Sequence, residues 1–240
     1  AEAVPHWLRA AERALSFSDV RAALELVERA LGHATSAELE GGLLTLKAEA
    51  LRIRGDYAAA LEVAERALAT LGRLGGAHPA RWFEAVGEVV TMSSRLRRLD
   101  LLAKYAETLR VEQRPDPCGA QVIATARAAM LLEHAGITVR ARPLYEWLDT
   151  VESLFDKDAV VSGRLLFARA WREQSRGDYF AYYSTMRRAI ERFKQTGDAR
   201  TTAQMEANAA FACLELGDYA QAVELGRSAL ARSRATGAPA

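Results

Sequence analysis

Residues 54–68 read RGDYAAALEVAERAL and residues 216–230 read LGDYAQAVELGRSAL. In both, a Gly-Asp-Tyr triplet separates two runs with helical character. Gly takes a left-handed conformation at a helix C-terminus without steric cost. The Asp that follows is placed to accept from the free N–H groups of the next helix. The Tyr then packs back at the apex. The triplet thus reads as the end of one helix, the start of the next and the pin of a tight helical hairpin. It occurs again at Gly177-Asp178-Tyr179.

The turns recur with a period. Gly217 follows Gly177 by 40 residues, Gly177 follows Gly136 by 41, and Gly55 follows Ser18 by 37. Gly136 follows Gly55 by 81, room for two units with a degenerate turn near Arg98. A fixed period of this size marks a stacked architecture. The flanks repeat as well. Seven residues before the turns stand Ala11, Ala48, Ala129, Ala170 and Ala210; five after stand Ala23, Ala60, Ala141, Tyr182 and Ala222; twelve after stand Ala30, Ala67, Leu148, Ala189 and Ala229. Short side chains let two helix backbones approach closely. Leu24, Leu31, Leu61, Leu68, Ile190, Val223 and Leu230 lie on the apolar stripe that would fill the space between hairpins.

These features resemble the tetratricopeptide repeat family, whose hairpins carry small residues on both helices and a Gly-Asp-Tyr-like turn. RGDYFAYYSTMRRAI (176–190) departs at Tyr182, which predicts a splayed hairpin, and FSDVRAALELVERAL (17–31) has Ser18 in place of Gly. In AGITVRARPLYEWL (135–148), Pro143 is expected in the first turn of a helix. The resemblance implies an all-α, right-handed solenoid of about six antiparallel hairpins forming one domain over 1–240. The hairpins are placed at 4–34, 38–72, 79–113, 117–155, 158–195 and 199–235, with 79–113 the weakest match. Gly75-Gly76 with Pro79, and Pro115 with Pro117, mark inter-hairpin loops. The usual period of the family is about 34 residues. Periods near 40 resemble the repeat regions of large bacterial regulators, such as maltose-activator-type factors, signalling ATPases and kinases, and those of kinesin light chains. The sequence begins without Met inside helix-like sequence, which points to a segment of a longer protein.

Composition narrows the partners. The 240 residues are 50% hydrophobic and 26% charged, with a formal net charge of +1. That balance argues against nucleic acid and against an anionic membrane surface. No run approaches the roughly 20 apolar residues of a membrane span, and no signal-peptide pattern is present. Cys118 and Cys213 stand apart in apolar contexts and read as reduced, buried thiols, consistent with a cytoplasmic setting. His6, His33, His78 and His134 are scattered, and no phosphate-binding, dinucleotide or nucleophile-elbow motif occurs. We expect no cofactor, no metal and no catalysis.

In the family, the first helix of each hairpin lines the concave groove. Carried onto this sequence, the positions facing away from the small-residue stripe include Glu12, Leu15, Glu49, Arg52, Glu88 and Met92. The groove candidates are Arg95, Arg127 and Met130, then Arg164, Phe167, Trp171 and Gln174, then Gln204, Asn208 and Phe211. Glu133, His134 and Glu215 share that register. Phe167, Trp171 and Phe211 fit either a peptide site or the core between hairpins. The expected function is a protein–protein interaction scaffold holding a peptide or partner helix. The alternative is a sensor segment of a larger signalling protein that binds an effector or sister domain. The last helix keeps apolar Val223, Leu225 and Leu230, which a homodimer or further repeats would cover.

Overall fold

The computed structural model describes residues 3–74 and 78–235. Among them are twelve α-helices and no strand. In chain order the pairs are α1 (Val4–Ser16) with α2 (Val20–Leu31), α3 (Ala37–Arg54) with α4 (Tyr57–Leu71), and α5 (Ala80–Arg95) with α6 (Leu99–Val111). Then come α7 (Gly119–His134) and α8 (Thr138–Val151) in succession, followed by the pairs α9 (Ala159–Ser175) with α10 (Tyr179–Thr196) and α11 (Ala199–Glu215) with α12 (Tyr219–Ala235). Gly75 and Gly76, expected in a loop, lie outside the described residues. The chain divides into two compact units, Ala1–Leu131 and Leu132–Ala240. None of the described helices is long and apolar enough to cross a membrane.

One turn geometry is used six times. Gly55, Gly136, Gly177 and Gly217 have φ of 96°, 76°, 78° and 77°. Ser18 (φ 62°) and Arg97 (φ 56°) take the same left-handed conformation without being glycine. Arg97 is therefore the pivot of the degenerate turn expected near Arg98. In every case the next N–H reaches back five residues: Asp19 to Ala14 O (2.9 Å), Asp56 to Leu51 O (3.0 Å), Arg98 to Ser93 O (2.8 Å). Ile137 to Leu132 O (2.8 Å), Asp178 to Glu173 O (3.1 Å) and Asp218 to Cys213 O (2.9 Å) complete the set. This is the Schellman arrangement, which satisfies carbonyls that the helix end would otherwise leave bare.

The Asp caps are real at three turns. Asp19 accepts from Ala22 N, Asp178 from Ala181 N and Asp218 from Gln221 N, at 3.0, 2.9 and 3.1 Å. Asp56 makes no such cap and instead accepts from Arg54 Nε at 2.6 Å. The Tyr pin is also uneven: Tyr57 and Tyr179 are half-buried but Tyr219 is exposed.

The small residues form the core. In the first unit Ala11, Ala23 and Ala30 are fully buried with Val4, Leu15, Val27, Leu43, Leu46 and Ala50. In the second, Ala141, Ala170, Ala189 and Ala209 are fully buried, while Ala210 is only half-buried.

Three expectations are corrected. Hairpin α9–α10 is not splayed, for Tyr182 is fully buried and these two helices pack closely along their length. Close approach comes instead from Gly163, where a Cβ would stand 3.0 Å from the Phe193 ring. Pro143 is inside α8, not in its first turn, because the helix starts at Thr138. The carbonyl it leaves unbonded is that of Val139, an exposed residue that water reaches. Cys118 is exposed, since it sits before α7 and not within it; only Cys213 is buried, which pushes its thiol pKa up.

Candidate functional site

The first-helix residues separate into a closed polar set in one unit and a more open aromatic set in the other. In the first unit Glu88 of α5 is buried. Its Oε2 accepts from Arg52 Nε of α3 at 2.6 Å, and its Oε1 accepts from Arg127 Nη1 of α7 at 3.0 Å. Arg127 also reaches Thr91 Oγ1 at 3.4 Å, and Arg52 reaches Glu49 at 3.4 Å. Burial alone would push the Glu88 pKa up, but the two guanidiniums outweigh it and hold the carboxyl below its usual range. Arg127 passes close above Gly87, where a Cβ would stand 3.3 Å from its Nη1. A second strut runs from Arg81 of α5 past Gly42 of α3 to Glu12 of α1, with Glu84 as the other partner of Arg81.

Two consequences follow for the first-unit candidates. Arg127 is tied down in an ion triad, and Leu15 and Met92 are buried core residues that line no surface. Arg95 is exposed and Met130 half-buried.

In the second unit Phe167 is buried, so it belongs to the core. Trp171, one turn later, is half-buried. Its indole lies edge-on to Phe167 (6.2 Å between centroids) and to His134 (5.2 Å), with the buried Tyr182 ring also 6.2 Å away. Tyr182 thus fills the space behind Trp171, and the indole stops partway out. Its Nε1 is buried and has no hydrogen-bond partner among the described residues. Glu133 beside His134 accepts from Ser175 Oγ at 2.8 Å.

Further along α9 and α11, Arg164 stacks on Phe193 with 5.0 Å to the centroid and donates to Thr201 Oγ1 at 3.4 Å. Gln174 and Asn208 are half-buried, and Gln204 and Glu215 are exposed. Phe211 is 40% exposed and rests against Tyr179 of the preceding hairpin at 6.3 Å. Trp171 and Phe211 therefore offer apolar surface beside amides, whereas Phe167 does not.

No family model and no curated protein matches the chain. Solved structures do. The crystal structure of BtubC (BKLC) from P. vanneervenii is 17% identical with a TM-score of 0.56, covering 99% of this chain and 94% of that one. A tetratricopeptide repeat protein from Parabacteroides merdae ATCC 43184 is 15% identical with a TM-score of 0.51, covering 97% and 80%. The fold is the tetratricopeptide fold. At these identities the likeness extends to architecture alone.

Within the tetratricopeptide fold, the Arg52–Glu88–Arg127 triad escaped the sequence reading as a unit. Glu88 and Arg127 each stand nine residues before their turn residue, Arg97 and Gly136. Opposite charges in one register on successive first helices were the available signal. It was masked because the third turn carries Arg97 where a Gly would have fixed the register.

Proposed function

We propose that this protein is a non-catalytic scaffold for protein–protein interaction, and that it takes a peptide or partner helix on the first-helix face of its second unit. The observation that carries this reading is Trp171. The half-exposed ring would supply contact area at low entropy cost. Asn208 and Gln174 would orient the ligand backbone, and Phe211 would add a second apolar contact. Arg164 and Gln204 would border the same face. In the first unit, Arg95 and Met130 are the candidates left available for contact. The scaffold is proposed to act in the cytoplasm, with its six hairpins as one domain.

The test is selection from a displayed peptide library, followed by calorimetry on the retrieved peptides. Trp171→Ala should weaken binding roughly 30-fold or more, in the range of an interface anchor. Trp171→Phe, which keeps an aromatic ring of smaller area, should fall between. Retrieved peptides that bind the Trp171→Ala, Phe211→Ala double variant as tightly as the wild type would remove the assignment.

A further inference from the structure

The joint between α8 and α9 departs from the repeat on both of its sides. Thirteen residues after the turn residue, α4 carries Leu68 and α10 carries Ile190, both buried. The same position on α8 is Asp149. Six after the turn, Leu61 of α4 is buried, whereas Arg142 of α8 is exposed and turned back to its own helix, donating to Glu146 at 2.8 Å. On the first helices, the positions five and eight before the turn are Met92 and Val89 on α5, and Ala212 and Ala209 on α11, all fully buried. On α9 they are Arg172 and Arg169. Helix α4 packs closely on α5, and α10 on α11.

The charges meet across the α8–α9 joint. Arg169 bonds Glu152 and reaches Asp149 Oδ1 at 3.3 Å, and Arg172 reaches Asp149 Oδ2 at 3.3 Å. All four side chains keep contact with water, at 19–47% exposure. A cleft runs between the two helices, floored by Leu148 and Leu165. Tyr145 spans it. Its hydroxyl donates to the Ala168 carbonyl of α9 at 3.1 Å, and the Arg172 guanidinium lies 4.8 Å over its ring.

Such a joint parts differently from its neighbours. Separating Leu, Met and Val exposes dry apolar surface, and added salt does not relieve that cost. Ion pairs that are already partly hydrated lose little on parting, and salt screens what attraction they have. At 0.5 M salt the screening length is about 4 Å, near the length of the pairs themselves.

We infer that the α8–α9 joint is a hinge of the second unit, pinned by Tyr145 and held shut by Asp149 with Arg169 and Arg172. Salt, or loss of the Asp149 charge, releases it. The hinge bears on the candidate site. Helix α9 carries Trp171 and Ser175, which rest on His134 and Glu133, the residues leading into α8 through the Gly136 turn. On the reading of Trp171 as the anchor, opening draws the indole away from His134 and alters the face offered to a ligand.

Thiol labelling in the full chain tests the hinge. In a Cys118→Ser background, Ala168→Cys sets a thiol in the buried wall of the cleft; the native Cys213 of α11, also buried, is the reference for a closed joint. An uncharged maleimide reaches either thiol only when the structure opens. Between about 20 mM and 0.5 M sodium chloride, labelling at position 168 should quicken about 5–10-fold, and that of Cys213 should change less than about 2-fold. Leu148→Cys, on the α8 side, should respond as position 168 does. Asp149→Asn should bring the low-salt rate at 168 up to the parent's high-salt rate. Asp149→Leu with Arg172→Met, the residues of the α4–α5 joint, should slow labelling at least about 10-fold and remove the salt response. Labelling at 168 or 148 that ignores salt, equal salt responses at 168 and Cys213, or an apolar pair that labels as fast as the parent overturns the inference. So does an Asp149→Asn chain that keeps the parent's low-salt rate. No peptide is present in these measurements, so the hinge and the Trp171 reading stand or fall separately.

Discussion

Replacing Glu88 by Gln isolates the worth of the buried triad. Gln has nearly the same volume, so the packing of α5 is kept and only the charge is lost. Its amide would set two N–H donors among two guanidiniums that already have nothing but donors. Breaking a buried ion pair by removing one partner typically costs about 3–5 kcal/mol. Here the figure is reduced because Arg52 and Arg127 retain 25% and 22% exposure and Arg52 keeps Glu49. A loss of about 2–4 kcal/mol is expected, or about 5–12 °C in Tm for a chain of this size. The sign with pH is fixed by the direction of the Glu88 shift. Its folded pKa is below the unfolded value, so its contribution is complete above the ordinary carboxylate pKa and disappears as pH falls through the folded one. Urea unfolding of both proteins, followed at 222 nm from neutral pH into acid, measures this. The gap between them should be constant near neutrality and close in acid. A gap under about 0.5 kcal/mol at neutral pH, or one that widens in acid, would refute the reasoning.

Other outcomes follow from local geometry. Ser18→Gly and Arg97→Gly relieve left-handed strain at two turns and should each stabilise by about 0.5–1 kcal/mol in thermal melts. Gly41→Ala sets a Cβ 2.4 Å from Leu71 Cγ, in a side chain that is itself buried. It should cost about 1–3 kcal/mol by urea titration, whereas Gly226→Ala in a dilute sample should be neutral or stabilise by up to about 1 kcal/mol. Asp178→Ala and Asp218→Ala remove genuine caps and should each cost about 1 kcal/mol, while Asp56→Ala should cost only a few tenths in the same denaturation assay.

The fold was legible because it is written in repeats. The turn glycines and the alanines on both sides set register, helix order and core, and the hairpin limits follow from them. What was not legible depends on contacts between hairpins. Phe167 and Trp171 are one helical turn apart with the same aromatic character, and a pattern of period 3.6 assigns both to one face. Their burial differs because Tyr182, on the next helix α10, fills the space behind the indole. Glu88 stands on sequence among the positions facing away from the small-residue stripe, and its burial shows only once the guanidiniums of Arg52 and Arg127 are placed on it. Pro143 was misplaced because helix α8 opens at Thr138, a start with no Asp or Ser cap to announce it.

The Arg81–Glu12 strut has a consequence for how the first unit comes apart. A stack in which each hairpin touches only the next behaves as a one-dimensional lattice, and such lattices fray from an end one element at a time. Arg81 skips an element: it joins the first hairpin to the third across the glycine step of the second. A boundary between melted and intact hairpins placed anywhere between α1 and α5 must sever that second-neighbour link. Half-melted states of this region are thereby penalised twice, and its three hairpins are coupled into a single cooperative block.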